Sequence, residues 1–423
     1  MKTFTFIPNH PFYRSLKTFI MKFEYLESLI TVSKQEGVIS WAEITITLVC
    51  GFLLYYLTQV VHKPKLFCKP GLWCETLKEH LKELENDQWP LLWCFWPLWQ
   101  AAFHTLLMKP QHFDFERKEI ETEDGGSFTL DFYGFEEDNE DNETKPILLI
   151  LPGATGHSGK VYVREFISIA LNRKYRAIGL NFRGWGRGVR LKTEKVSCVG
   201  NLSEIKAAFK HITKEHPNAP IMVIASSIGA VTFTNYLARE SNKINQNIRA
   251  VMLLGVPWDP MESKARLSEF WINLVVNKHM TQNMINHVKR NNAVVEDSVQ
   301  TLGIDLEEVY QSQTVWDFDD RYLCPLYGYK DHMEYYKDVG IVSLPLEKIT
   351  VPVLALCTED DPLCRGKAIP LQKIMTNSLL AVVTTKFGGH LTWLEGIMPT
   401  YKRFPHRVFE QYVDIFFGET KSV

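Results

Sequence analysis

Ser227 sits in the run Ile224-Ala225-Ser226-Ser227-Ile228-Gly229-Ala230, directly after the apolar stretch Ile221-Met222-Val223-Ile224. The small-x-Ser-x-Gly spacing is that of a strand that stops, a sharp turn that projects a serine, and a helix that begins. Small residues flank such a serine because strand and helix backbones nearly touch there. Gly229 meets that need, and Ala225 stands where glycine is usual, at the cost of one methyl group. A serine hydroxyl becomes a nucleophile only when a base takes its proton, and the base needs a carboxylate to orient it.

Both partners follow in the order Ser, acid, His. The apolar run Val351 to Cys357 ends in Thr358-Glu359-Asp360-Asp361-Pro362, and Leu379 to Val383 is followed by Phe387-Gly388-Gly389-His390-Leu391. The expected triad is Ser227, Asp361 and His390, with Asp360 as the competing acid. Taken singly, each piece has an ordinary reading, since Asp and Pro favour turns and Gly-Gly-His fits any loop. Taken together, each follows a strand, and loops at the C-terminal edge of an open α/β sheet meet in one crevice. An oxyanion would need two backbone donors. Ile228, after the nucleophile, supplies one. Ala154, in the Pro152-Gly153-Ala154-Thr155-Gly156 loop behind the buried strand Pro146 to Leu151, is expected to supply the other.

The elements that position these residues read as alternating strand and helix. Strands are expected at 147–151, 177–182, 221–225, 250–255, 353–357 and 380–384, with helices such as 202–214 and 231–240 between them. That rhythm predicts a mostly parallel sheet covered on both faces. A hairpin at 117–121 and 127–132, turning at Gly125-Gly126, precedes it, and 135–144 reads as an acidic surface loop. Between about 257 and 346 the rhythm breaks into a helical, aromatic-bearing insertion, placed where a cap over the site would be.

At 423 residues, with 45% hydrophobic and 23% charged residues, the chain suits one large globular domain plus an appendage. A net charge of −2 and the lack of a basic stripe give no sign of a nucleic-acid partner. The eight cysteines show no metal-like spacing, so neither a metal nor a cofactor is expected, and idle or buried thiols are expected rather than disulfides.

Residues 44–61 carry no charge, close to the ~20 apolar residues that span a bilayer. Tyr55 and Tyr56 within it and Lys63 and Lys65 after it suit an interface. The expected organisation is a polar and aromatic segment at 1–37, a membrane anchor at 38–62, an aromatic-rich linker at 63–115, and the hydrolase domain at 116–423. The Trp- and Pro-dense stretch 89–99 is not expected to form a regular helix. It could line an acyl-binding surface, sit at a membrane interface, or clasp the core. A single-pass membrane protein of the endoplasmic reticulum or another endomembrane is the expected location. Orientation stays open: Lys63, Lys65 and Lys69 favour a cytosolic domain, whereas the triplets Asn142-Glu143-Thr144 and Asn201-Leu202-Ser203 have the form of glycosylation sites.

From Lys63 to the end, the chain resembles the membrane-anchored branch of the α/β-hydrolase-domain lipases. That branch includes medium-chain phospholipases and monoacylglycerol lipases, with YheT-type bacterial relatives. The resemblance rests on Leu151 to Gly156, Asn181-Phe182-Arg183-Gly184, the Ser227 elbow, Val256 to Pro260, and Asp317-Phe318-Asp319-Asp320-Arg321-Tyr322. It rests also on Gly328-Tyr329 with Tyr335-Tyr336, Asp360-Asp361-Pro362, and Gly388-Gly389-His390 with Leu394-Glu395-Gly396. It implies an α/β-hydrolase fold with a helical cap and a membrane anchor. It also implies a lipid ester substrate, the triad named above and hydrolysis through an acyl-enzyme. Pro152 replaces the family histidine and Ala225 the family glycine. These departures keep a second class open, a weak or inactive relative that binds lipid or acts as a scaffold.

Overall fold

Nine strands form one sheet in the order β1-β9-β8-β7-β6-β4-β5-β3-β2. They are β1 Lys65–Cys68, β2 Glu116–Glu121, β3 Ser127–Tyr133, β4 Ile147–Leu151 and β5 Arg176–Asn181. The rest are β6 Ile221–Ser226, β7 Ile248–Leu254, β8 Val353–Thr358 and β9 Leu380–Thr385. The structure, a computed structural model, describes residues 40–135, 144–186 and 189–418. The central strands from β5 to β9 pair in parallel, while β1 and the β2–β3 hairpin close the two edges antiparallel.

Alternation within the strands explains the layers. In a strand, successive side chains point to opposite faces. Ile147, Leu149 and Leu151 of β4, with Val223 and Ala225 of β6, therefore share one core cluster. Leu148, Ile150, Met222 and Ile224 share the other. Both faces are apolar, so both need a cover of helices. On the main helices, α1 is Trp41–Tyr55, α2 Leu72–His80, α3 Pro97–Leu107, α4 Val161–Asn172, α5 Ser203–Glu215 and α6 Ile228–Arg239. Next come α7 Pro260–Leu267, α8 Lys278–Arg290, α9 Asn292–Gln300, α10 His332–Val339 and α11 Phe404–Phe417. Helices α5 and α6 place Ile205, Phe209, Phe233 and Leu237 in the first cluster. The second receives Val163, Phe166 and Ile167 of α4 with Val408, Phe409 and Tyr412 of α11.

The chain divides into two compact units at Val60/Val61. In the first, α1 continues through a π-helical turn, Tyr56–Val60, giving twenty helical residues long and apolar enough to cross a bilayer by length and composition. Ser40 and Glu43 close its N-terminus as a capping box. Residues 1–37 and most of the acidic loop, including Asn142, lie outside the described residues.

Three expectations change. Segment 63–115 is not a linker: it adds the edge strand β1 and helices α2 and α3 to the unit that starts at Val61. The Trp- and Pro-dense stretch is irregular through Trp96, as expected, but its last residues, from Pro97, open a regular helix, since Pro97 sits in the first turn of α3, where the missing N–H costs nothing. Cys68 and Cys74 form a disulfide. The turn through Lys69–Gly71 folds the start of α2 back on the end of β1 and brings the two Cα atoms to 5.7 Å.

The Asn181 to Gly184 motif has a structural task. Arg183 is 1% exposed and donates to both Asp124 carboxylate oxygens at 2.9 Å, to Ser203 Oγ at 2.8 Å and to Thr122 Oγ1 at 3.1 Å. Its backbone N–H donates to Glu204, a carboxylate that burial pushes up. Arg183→Met should therefore lower stability by about 3–5 kcal/mol, because it strands Glu204 and Asp124 without their cation. Thermal unfolding would show this as a clear fall in Tm, and a neutral outcome would mean that the network contributes nothing.

Candidate active site

Ser227 follows β6 and leads into α6 with φ 52° and ψ −124°. This backbone conformation is strained for a residue with a side chain and persists only where packing enforces it. The enforcement is visible. The Ser227 N–H donates to Leu254 O at 2.8 Å at the end of β7, so the chain cannot relax away from the sheet. A Cβ on Gly229 would lie 2.3 Å from Pro152 O. The loop after β4 and the first turn of α6 therefore meet backbone to backbone, and only glycine fits. Gly153 is constrained likewise, since a Cβ there would lie 2.9 Å from Ser227 Cβ. Ala225, by contrast, is fully buried with its methyl group in the first core cluster. The departure from glycine is accommodated by packing.

The structure brings His390 to Asp361. His390 Nδ1 lies 2.8 Å from Asp361 Oδ2, and Asp361 is 3% exposed. The other oxygen, Oδ1, accepts the N–H groups of Leu363 at 2.7 Å and Cys364 at 3.1 Å. These bonds hold the carboxylate as an acceptor, so the Nδ1–H faces it and Nε2 is left as the basic nitrogen. The imidazole sits over Gly255: a Cβ there would lie 3.2 Å from His390 Nδ1 and Cε1. Gly255 is the residue after Leu254, whose carbonyl accepts from Ser227, so ring and elbow each lie against the end of β7.

Asp360 takes a different place. Its Oδ1 accepts the Gly389 N–H at 3.0 Å, and burial pushes its carboxyl up to about 7. It supports the histidine loop rather than the histidine. That loop is held further by Thr358 Oγ1 donating to Gly389 O at 2.8 Å and by buried Trp393, whose indole N–H donates to Thr385 Oγ1 at 3.0 Å.

Ala154 and Ile228 both line the cavity that holds Ser227. The Gly153 N–H is not available there, since it donates to Tyr162 OH at 2.9 Å. Ala154 is then the next donor along the loop. Tyr162 escaped sequence reasoning, because nothing in its neighbourhood marks it. The cavity, about 210 Å³, is walled by Phe182, Trp185 and Val231 of the core unit and by Leu267, Met284, Trp316 and Leu323 from the helical stretch between β7 and β8. Asp319 is the buried acid on this wall, hydrogen-bonded by Tyr336 OH at 2.7 Å. Burial pushes its carboxyl up to about 7.

An open, mostly parallel sheet with a strained serine at its C-terminal edge defines the α/β-hydrolase class. Comparison with known proteins agrees. A family model described as serine aminopeptidase, S33 matches residues 142–306, which contain the elbow. Mouse phospholipase ABHD3 is 28% identical over 376 residues, covering 87% of this chain and 89% of its own length. Protein abhd-3.2 of Caenorhabditis elegans is 26% identical over 370 residues, covering 87% of this chain and 96% of its own. The monoacylglycerol lipase of Saccharomyces cerevisiae is 26% identical over 261 residues, covering 60% and 56%. The chain is thus similar, along most of its length, to a phospholipase and, over a shorter stretch, to a monoacylglycerol lipase, and the α/β-hydrolase fold fits a carboxylic ester hydrolase.

Two outcomes test the acid pair. Asp361→Asn should lose far more esterase activity than Asp360→Asn, because one carboxylate alone meets the imidazole; the reverse ranking would move the role to Asp360. The second concerns stability. Asp360 holds its proton to about 7 when folded, against an ordinary 3.8. The folded chain then binds the extra proton across that window, and stability falls as pH rises through it. Asp360→Asn should show a smaller drop in Tm between mildly acidic and neutral buffer. An equal drop would remove Asp360 as a cause.

Proposed function

We propose that this chain is a serine hydrolase that cleaves the acyl esters of lipids. The observation that carries the reading is the His390–Asp361 hydrogen bond of 2.8 Å at the strand edge that holds the strained Ser227. Ser227 Oγ attacks the ester carbonyl while His390 takes its proton. Asp361 keeps the imidazole in the tautomer that exposes Nε2 and stabilises the imidazolium. The N–H groups of Ile228 and Ala154 receive the oxyanion. The alcohol leaves with the proton from His390, and water then releases the acyl group from Ser227 by the same route.

The apolar cavity favours a lipid acyl chain over a small polar ester. Among lipids, a phospholipid is the better-supported substrate. Phospholipase ABHD3 of mouse matches along 89% of its length, while the monoacylglycerol lipase matches along 56% of its length. Helix Trp41–Val60 would anchor the enzyme to the membrane that holds its substrate, as a single-pass protein.

Ser227→Ala should abolish labelling by a fluorophosphonate probe and lower kcat by roughly 10⁴-fold or more. Undiminished hydrolysis of a lipid panel by the pure variant would sink the nucleophile. The full chain should also stay in the membrane pellet through high-salt and alkaline-carbonate washes, because salt screens charge but does not extract a spanning helix. Release by carbonate would remove the anchor and leave the hydrolase reading intact.

A further inference from the structure

Four tryptophans of the 89–99 stretch are not spent on the core. Trp89, Trp93, Trp96 and Trp99 are 46–57% exposed. Beside them lie Ile397 and Met398, 70% and 69% exposed. The two segments are laced into one surface. Leu91 N–H donates to Leu394 O at 2.8 Å, Leu92 N–H to Gly396 O at 2.9 Å, Gly396 N–H to Trp89 O at 2.9 Å, and the Trp93 indole to Ile397 O at 2.7 Å. Buried Leu91, Cys94, Met108 and Leu394 pack beneath them, so the exposed rings stand on a fixed platform.

The platform touches the histidine loop. Gln100 Oε1, fully buried, accepts from Thr392 Oγ1 at 3.2 Å and from Leu394 N–H at 3.3 Å. A Cβ on Gly389 would lie 3.2 Å from Pro97 O, and the Phe95 and Phe387 rings lie 5.8 Å apart. It is also tied to the first residues of the unit that starts at Val61. Gln88, the residue before Trp89, donates its N–H to His62 O at 3.0 Å, two residues after Val60.

We infer that the surface formed by Trp89, Trp93, Trp96, Trp99, Ile397 and Met398 seats in the interface of a lipid bilayer and so holds the His390 loop at the lipid surface. Three observations select lipid as the occupant. Tryptophan dominates the patch, and its indole has an apolar body and a polar N–H suited to the headgroup boundary. The start of the patch is tied, through the Gln88 N–H to His62 O bond, to a residue two positions after the last of a helix of membrane-crossing length. Exposed Lys109 stands beside Tyr401, whose OH donates to Lys109 O at 3.4 Å, and a lysine there complements lipid phosphates. The surface would then do what the helix alone does not: fix how the domain faces its substrate.

The test rests on the proposed ester activity for one readout, so it includes another that does not. The full chain is reconstituted in phosphatidylcholine vesicles, with the quadruple variant Trp96→Ser, Trp99→Ser, Ile397→Ser, Met398→Ser beside it. Hydrolysis of vesicle lipid should fall about tenfold or more, since seating scales with buried apolar area. Hydrolysis of a water-soluble short-chain ester and fluorophosphonate labelling should stay unchanged. Equal loss on both esters would make the surface a structural clasp and overturn the inference, as would no loss on either. The conservative variant Trp96→Phe, Trp99→Phe supplies the second readout: quenching of tryptophan fluorescence by lipids brominated near the headgroup should be weaker than in the parent chain. Unchanged quenching would also overturn it. An oligomer that dissociates in the quadruple variant while vesicle hydrolysis holds would assign the patch to a second copy of this chain instead. Absent fluorophosphonate labelling in the parent chain would defeat the ester-hydrolase reading, while the quenching result would still stand on its own.

Discussion

The close approach of three backbones at Ser227 is the constraint on which the rest depends. β6 must stop, the loop after β4 must pass over it, and α6 must start, all within contact distance. A Cβ on Gly229 would meet the Pro152 carbonyl oxygen at 2.3 Å, so the sequence there has no freedom. Ser227 takes a positive φ as the result. The strain is held by the hydrogen bond to Leu254 and by a sheet buried on both faces. Weakening the sheet would relax the elbow before it unfolded the domain, because strain at such a site persists only while its surroundings over-determine it.

Around that point, polar and apolar groups divide the work. The polar ones lie at the strand ends: Asp361 on the imidazole, Asp360 and Thr358 on Gly389. The apolar ones line the cavity, where the helical stretch between β7 and β8 supplies Leu267, Met284 and Trp316. An apolar wall strengthens electrostatic interactions beside it. Asp319 is a buried acid on that wall, which Lys264 and Ser263 also line. Its carboxyl is hydrogen-bonded by Tyr336 and favoured neutral by burial, which lets it remain among apolar neighbours at low cost.

The family motifs divide in the same way. Asn181 to Gly184 serves architecture, through the buried Arg183 cluster. The pieces Asp317 to Tyr322 and Tyr335-Tyr336 build the cavity wall. The elbow and the Leu151 to Gly156 loop line the cavity that holds Ser227, and the acidic and Gly-Gly-His loops meet at the His390–Asp361 hydrogen bond. A shared motif is therefore no measure of chemistry until its contacts are known.

The sequence by itself determined the strand–helix rhythm, because apolar runs of five to seven residues between helical periods have few other uses. It determined the elbow, because only small residues tolerate that turn, and it put the acid and the histidine each after a strand. It did not separate Asp360 from Asp361. Both follow β8, and only the fold aims one carboxylate at the imidazole and the other at the Gly389 N–H. Nor did it reveal β1, whose four residues become a strand only by pairing with β9, more than 300 residues away. The same holds for the disulfide, which needs the turn at Lys69–Gly71, and for Tyr162, which matters because its hydroxyl occupies the Gly153 N–H. Local pattern records periodicity and backbone permission. Which side chain meets which partner across long sequence separations is decided by packing, and packing exists only in the folded chain.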